Sequence, residues 1–84
     1  MEYDKEKVDD MVLALLYLTT FEDDGKRAWK SMDWGAMDRL FEKGYIGDPK
    51  NKNKSVLLTE EGAKRSQELF LHYFVTKTDR KTAG

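Results

Sequence analysis

The sequence predicts an α+β domain with three helices and a small antiparallel β-hairpin between the second and the last helix. Apolar residues recur at helical spacing on both sides of the centre of the chain, a pattern typical of helices that pack on a core. The segment from Trp34 to Gly62 reads as helix, glycine stop, short strand, basic loop, short strand and helix start. This is the order of elements in the second half of a winged helix. We therefore expect a winged-helix-like fold with the hairpin as its wing.

The first helix is predicted to run from Asp4 to Thr20. Acidic side chains near its start complement the positive end of the helix dipole. From Met11 to Leu18 its side chains are apolar around almost the whole circumference, and such a helix is buried on more than one side. The last helix carries a second wide apolar arc, and one small core can hardly cover both. We therefore expect a homodimer whose interface contains Leu13, Leu16, Tyr17, Leu71, Phe74 and Val75.

The second helix is predicted from Asp33 to Lys43. Asp33 is suited to cap its first turn, and Gly44 is suited to end it. Trp34, Met37, Leu40 and Phe41 fall on one apolar face. The preceding residues, 26–31, fit either a short strand or one helical turn. We predict a strand, because a winged-helix sheet needs a third strand here.

The hairpin is predicted to begin at Tyr45 and Ile46 and to return through residues 56–58. Between its arms lies a turn composition around Pro49. Thr59 is expected to cap the last helix. We predict a single domain over residues 1–76, followed by a frayed polar tail over 77–84.

Composition excludes several classes of protein. The 84 residues contain 15 basic and 16 acidic side chains, one histidine and no cysteine, so a disulfide framework or a thiolate metal site is excluded. No phosphate-binding glycine loop or catalytic triad pattern occurs, and we expect neither an enzyme nor a cofactor. The start of the chain lacks a signal-peptide pattern, and its longest apolar run is far short of the ~20 residues of a membrane span. A cytoplasmic protein without membrane contact is expected.

The lysine-rich loop is the best candidate for a functional site. Lys50, Lys52 and Lys54 alternate along residues 48–54 against one acid, Asp48, so the segment carries 3 − 1 = +2. Such a loop can contact phosphates without reading sequence. The alternative is a solvated loop that keeps edge strands from pairing with other chains.

The second helix offers Arg39 and Lys43 as further nucleic-acid contacts. Arg39 has the geometry to read a guanine edge. The helix as a whole is slightly acidic, however, with three acids against these two cations. The alternative, which we favour, is that Arg39 pairs with nearby carboxylates.

Two tryptophans and the histidine have alternative interpretations. Trp29 and Trp34 suit either a base-stacking platform or the core, and we expect the core because large aromatic side chains dominate burial in small domains. His72 with Glu68 gives only two metal ligands, too few for a site. We expect no metal and predict that His72 is partly buried or lies in an interface.

The run of Leu40, Gly44-Tyr45-Ile46, Lys54 and Leu58-Thr59-Glu60-Glu61-Gly62 resembles the end of the winged-helix domain in bacterial MarR- and PadR-type regulators. The resemblance implies that the helix before Gly44 lies in the DNA major groove, that the loop is the wing, and that terminal helices dimerise. A longer segment, from Arg27 to Pro49, looks more like a small bacterial family of unknown function. Only about a dozen residues separate the first helix from Asp33, so the helix-turn-helix is abbreviated.

The sequence therefore leaves two alternative functions open. The first is a nucleic-acid-binding or transcription-regulatory module, with double-stranded DNA as a possible partner. The second is a protein-interaction or self-association module on the same fold. The element order and the lysines favour the first, and the neutral charge balance and the excess apolar surface favour the second.

Overall fold

The computed structural model describes residues 1–30 and 33–75. Three helices and three strands follow one another: α1 (Lys5–Leu16), β1 (Phe21–Glu22), β2 (Lys26–Trp29), α2 (Trp34–Glu42), β3 (Ser55–Leu57) and α3 (Glu60–Phe74). The predicted α+β class with three helices is confirmed, and the arrangement is compatible with a winged-helix-like fold. The predicted frayed tail lies outside the described residues.

Each helix begins at a side-chain cap. A carboxylate oxygen of Asp4 accepts a hydrogen bond from the Lys7 N–H at 3.1 Å, and Asp33 accepts one from the Ala36 N–H at 3.1 Å. The Thr59 hydroxyl accepts the Gly62 N–H at 2.9 Å. These bonds satisfy N–H groups that have no partner within the helix. The first helix ends earlier than predicted, because a 3₁₀ turn over Tyr17–Thr19 replaces its last residues.

The strands form one antiparallel sheet in the order β1-β2-β3. β1 and β2 make a tight hairpin, whose turn places Asp24 at φ 54° and Gly25 at φ 107°. β2 then pairs with β3 in a register that sets Ala28 opposite Val56. The predicted strand within residues 26–31 is therefore present over Lys26–Trp29, and it is the central strand.

The hairpin predicted between α2 and α3 is reduced. The returning strand is β3, but its ladder partner is β2, and the predicted outgoing arm at Tyr45 and Ile46 makes only one bridge, from Ile46 to Leu58. The chain leaves the ladder after Gly47, because Pro49 has no N–H to donate. The Lys50 N–H instead donates to the side chain of Asp48 at 2.9 Å.

The core lies between the sheet and the three helices. Its fully enclosed side chains come from every layer, and Leu13 on α1 is completely buried. The Ser66 hydroxyl of α3 donates a hydrogen bond of 2.7 Å to the Leu13 carbonyl, so α1 and α3 are joined by a polar contact as well as by packing. The core residues are Val12, Leu13, Ala14, Leu16, Ala28, Ala36, Met37, Leu40, Ile46, Val56, Leu58 and Leu69.

Candidate nucleic-acid interface

The lysine loop, residues 48–54, is held in shape by its own polar side chains. The Asn51 amide nitrogen donates to the Asp48 carbonyl at 2.9 Å, and the Asn51 amide oxygen accepts the Asn53 N–H at 2.8 Å. Asparagine and aspartate make such local bonds in preference to a strand ladder. The side chains of Lys50, Lys52 and Lys54 are all exposed. The loop therefore presents three cations from a fixed backbone.

Lys30 fastens this loop to the end of β2. Its N–H donates to the Lys54 carbonyl at 2.9 Å. Its ammonium group donates to the Asn51 carbonyl at 2.9 Å and to the Asn51 side-chain oxygen at 3.0 Å. A fourth cation thus stands beside the three predicted ones. It was missed because its role depends on contacts 21 residues apart along the chain.

The two tryptophans lie next to the loop and not in the core, so the expectation of core burial is wrong. Trp29 is 49% exposed and Trp34 is 60% exposed. Both border one open hollow of about 430 Å³. We call it the tryptophan hollow; its lining residues are Trp29, Lys30, Trp34, Asn51, Asn53 and Lys54.

The exposure of both rings has a local cause. Successive side chains of a strand point to opposite faces, and Ala28 occupies the inner side of β2 with no exposed surface. Trp29 therefore points outward, where its ring packs on Phe21 with 5.2 Å between ring centroids. In α2, the buried residues are Ala36, Met37 and Leu40. This stripe leaves Trp34 at its rim.

Arg39 and Lys43 are not part of this surface. Both contact the carboxylate of Asp9 on α1, which has no solvent-exposed area. The Arg39 Nε lies 2.9 Å from each Asp9 oxygen, and its Nη2 lies 2.8 Å from Oδ1. The Lys43 Nζ donates to Asp9 at 2.9 Å and to Glu6 at 3.0 Å. The pairing of Arg39 with acids agrees with the favoured alternative, although the partner comes from α1.

These contacts fix the charges of the cluster. Burial by itself would raise the pKa of Asp9, but the hydrogen bonds from Arg39 and Lys43 outweigh it and lower that pKa below its usual value. Burial by itself would lower the pKa of Lys43, but the hydrogen bonds to Asp9 and Glu6 outweigh it and raise that pKa above its usual value. The buried carboxylate is therefore ionised at pH 7, and its negative charge is balanced by the positive charges of Arg39 and Lys43. Helical spacing could have indicated that Asp9 is buried, since Asp9 lies on the same face of α1 as Leu13 and Leu16.

The outward face of α2 has little to attract a phosphate backbone. Its exposed residues are Trp34, Phe41 and the acidic Glu42, while its one cation, Arg39, and the Lys43 that follows the helix are both paired with Asp9 of α1. A helix that reads duplex bases needs donors on its free face. The geometry thus restricts the candidate site to the lysine loop and the tryptophan hollow and leaves α2 out of it, except for Trp34.

The predicted dimer interface is divided by the structure. Leu13 and Leu16 have no exposed surface within one chain, so including them in an interface was wrong; the sheet and the other helices already cover that side of α1. Tyr17, Leu71 and Phe74 remain exposed, and Val75 is half-buried. Tyr17 packs on Phe70 at 5.0 Å between centroids, and Phe70 packs on Phe74 at 5.4 Å. We call Tyr17, Phe70, Leu71 and Phe74 the aromatic face.

Other chemistry has little support in the described part of the chain. His72 and Glu68 are both exposed, so the expectation that His72 is partly buried is wrong, and its place in an interface stays a prediction. Residues 1–30 and 33–75 contain no group of three or more side chains placed to hold a metal ion. Within those ranges, no helix has the length and apolar character needed to span a membrane.

Comparison with known proteins places the chain in a family. The model of the domain of unknown function DUF6429 matches residues 4–76. The chain is also 54% identical over 74 residues to the uncharacterized protein y4hR of Sinorhizobium fredii (strain NBRC 101917 / NGR234), a match that covers 88% of this chain and 97% of that protein. No solved structure matches. The chain belongs to the DUF6429 family, as the longer signature indicated, and the comparisons give no support to the resemblance to MarR and PadR regulators.

Proposed function

We propose that this DUF6429 protein is a non-catalytic nucleic-acid-binding module, suited to a transcription-regulatory role, whose lysine loop contacts phosphates. The observation that carries the proposal is the set of four lysines on and beside the lysine loop, Lys30, Lys50, Lys52 and Lys54, in a chain whose formal net charge is −1. Two of them, Lys30 and Lys54, line the tryptophan hollow. A polyanion attracts such a local excess of cations even when the whole protein is nearly neutral.

The division of the cations supports the same proposal. Arg39 and Lys43 are held by buried or neighbouring carboxylates. Arg27 donates to the hydroxyl of Ser55 at 2.8 Å across the sheet. The three loop lysines are exposed. Lys50, Lys52 and Lys54 should therefore dominate affinity, and Arg39 and Lys43 should contribute little.

The test is fluorescence anisotropy with labelled single-stranded and double-stranded oligonucleotides. Replacing Lys50, Lys52 and Lys54 together with glutamine should weaken binding at least tenfold at every sequence. Each lost phosphate contact lowers the slope of log affinity against log salt by about 0.7–0.9, so the triple variant should lose about 2–3 units of slope.

The matched control replaces three exposed lysines on the helices: Lys5 and Lys7 on α1 and Lys64 on α3. It makes the same change in net charge but should leave affinity within about twofold. The proposal is wrong if the wild-type protein binds neither kind of oligonucleotide at ~50 mM salt, where phosphate contacts are strongest. An equal loss in both triple variants would also contradict it, because the loop would then have no special role.

Self-association is a second candidate, favoured by the aromatic face. Leu71 is 43% exposed and Phe74 is 42% exposed, and the neighbouring rings of Tyr17 and Phe70 pack on each other at a tilt. Contiguous exposed apolar side chains of this kind often mark an interface, and a two-fold dimer would bring the face against its own copy. Sedimentation equilibrium at micromolar concentration should report about twice the chain mass of 9.8 kDa. A mass equal to one chain would exclude this candidate.

A further inference from the structure

The exposure of both tryptophans is the feature that phosphate binding alone leaves unexplained. The chain has only two tryptophans, and about half or more of each side chain faces water. Lysines need no aromatic neighbour to hold a phosphate. An indole ring beside them adds a flat apolar surface on which a nucleobase can stack.

Both rings are presented by ordered elements. Trp29 is the last residue of β2. Its backbone N–H donates a hydrogen bond of 3.3 Å to the Thr19 hydroxyl, and its ring packs on Phe21. Trp34 is the first residue of α2, directly after the capping Asp33. A stacking surface of this kind loses little conformational freedom when a ligand binds.

Cations and rings share one hollow. Lys30 and Lys54 line it together with Trp29 and Trp34. A nucleic-acid strand has the same combination of groups, with phosphates along one side and bases along the other. Alternating cationic and aromatic groups are the usual means of holding a strand without reading its sequence.

This arrangement fits a single strand better than a duplex. The faces of paired bases in a duplex are covered by their neighbours, so an indole on the protein surface has no base to stack on. The alternative is that α2 lies in the major groove of a duplex. The outward side of α2 has no free cation to support that mode, because Arg39 and Lys43 are paired with Asp9. The lysines serve either form, but the tryptophans serve only unpaired bases.

We propose that the tryptophan hollow binds single-stranded DNA or RNA, with bases stacking on Trp29 and Trp34 while Lys30 and the lysine loop hold the adjoining phosphates. This inference rests on the proposed function, since it names the kind of nucleic acid that the same surface takes. Contacts of this type carry little sequence preference.

The first experiment leaves the protein unchanged and varies the ligand. Three probes of equal length, about 12 nucleotides and so within the usual range of site sizes, are compared: oligo(dT), a duplex, and an abasic strand with the same phosphates. We expect oligo(dT) to bind at least tenfold more tightly than either of the others. Binding of oligo(dT) should also change the protein's tryptophan emission, whereas the abasic strand should not.

The second experiment varies the rings. Trp29→Ala and Trp34→Ala should each weaken oligo(dT) binding roughly tenfold, within the range measured for stacked bases, and leave abasic-strand binding unchanged. Trp29→Phe and Trp34→Phe should retain most of the affinity, because they keep an aromatic face. They also leave one tryptophan each to report its own contact. Tyr73→Ala, which removes an aromatic ring 43% exposed on α3, is the control and should bind as the wild type does.

The outcomes separate this inference from the function on which it rests. Two results together would overturn stacking and still support phosphate binding. The wild type would bind oligo(dT), the abasic strand and the duplex with equal affinity, and the triple variant of Lys50, Lys52 and Lys54 would bind at least tenfold more weakly. Binding of none of the three probes would overturn both. If an alanine variant unfolds, as circular dichroism would show, the comparison of oligo(dT) with the abasic strand still decides the question on the wild-type protein.

Discussion

At the scale of single residues, Gly62 allows the start of α3, at Thr59, to pack directly against the backbone at Tyr45. The Thr59 N–H donates to the Tyr45 carbonyl at 3.0 Å, and the Thr59 hydroxyl donates to the Gly44 carbonyl at 2.7 Å. The first turn of α3 therefore sits directly on the backbone that follows α2. A Cβ atom at Gly62 would overlap the Tyr45 carbonyl group, so only glycine allows this approach.

Gly62→Ala should accordingly destabilise the protein by about 3 kcal/mol, near the upper end of the usual cost of overpacking. The better helix propensity of alanine offsets only about 1 kcal/mol of the strain. Gly47→Ala is the control, because a Cβ there would meet Leu57 at an ordinary 3.7 Å. Urea unfolding followed by circular dichroism measures both. Equal stability of Gly62→Ala and the wild type would show that α3 can shift away from Tyr45 without cost.

At the scale of elements, the helices were predictable because their caps are local. Asp4, Asp33 and Thr59 act on backbone within three residues of themselves, so the sequence alone contains the signal. The glycine stop at Gly44 is also confirmed, since its φ of 82° lies in the left-handed region. The central strand was chosen from the expected fold and not from its own composition.

The partners of these elements were not predictable in the same way. β3 pairs with β2, about 28 residues earlier, and composition does not state which strand a strand will pair with. The rings of Trp29 and Trp34 were placed in the core by size alone, although the inner position of β2 belongs to Ala28. The exposure of the three loop lysines was predictable, because exposure of a lysine-rich loop follows from composition. Lys30 and the tryptophan hollow depend on tertiary contact and were missed.

The Asp9 cluster joins α1 to α2, and its pH dependence tests that contact. Because the pKa of Asp9 is lowered from 3.8 in the folded protein, its ionised form stabilises the fold above about pH 4. That contribution is lost as the pH falls through 3.8 towards the folded-state value. The unfolding free energy of the wild type should therefore decline on acidification below pH 4.

Asp9→Asn should lower stability at pH 7 by about 2 kcal/mol, less than the ~3–5 kcal/mol typical of a broken buried pair, because Arg39 and Lys43 stay partly solvated. The variant should also show a shallower decline below pH 4. Denaturant unfolding at a series of pH values measures both effects, with Asp10→Asn, the neighbouring carboxylate, as control. Parallel pH curves for Asp9→Asn and the wild type would mean that Asp9 does not link the two helices through charge.

At the scale of the whole molecule, the total charge conceals how the cations are used. Formal charges nearly cancel at −1, which by itself speaks against a nucleic-acid-binding surface. The structure separates cations that neutralise carboxylates or bridge strands, such as Arg39 and Arg27, from cations that face water on the lysine loop. Which charges are free, and what stands beside them, decides the proposed function.

The whole molecule also offers two surfaces built from different residues, and this separation gives the last prediction. The tryptophan hollow is lined from β2, α2 and the lysine loop, whereas the aromatic face comes from the 3₁₀ turn and α3. If the aromatic face joins two copies, dissociation accompanies unfolding and stability depends on protein concentration. The melting temperature should then rise by about 5 °C or more between about 1 µM and about 100 µM protein.

Leu71→Glu places a charge in the aromatic face and should make the melting temperature independent of concentration. Leu57→Glu is the matched control, because Leu57 is exposed to nearly the same extent, 42% against 43%, but lies on β3; it should keep the concentration dependence. The Leu71→Glu chain should still bind oligo(dT), since its lysines and tryptophans are untouched. Loss of binding in a folded, monomeric Leu71→Glu variant would instead mean that two copies must act together, because each hollow alone would then hold a strand too weakly.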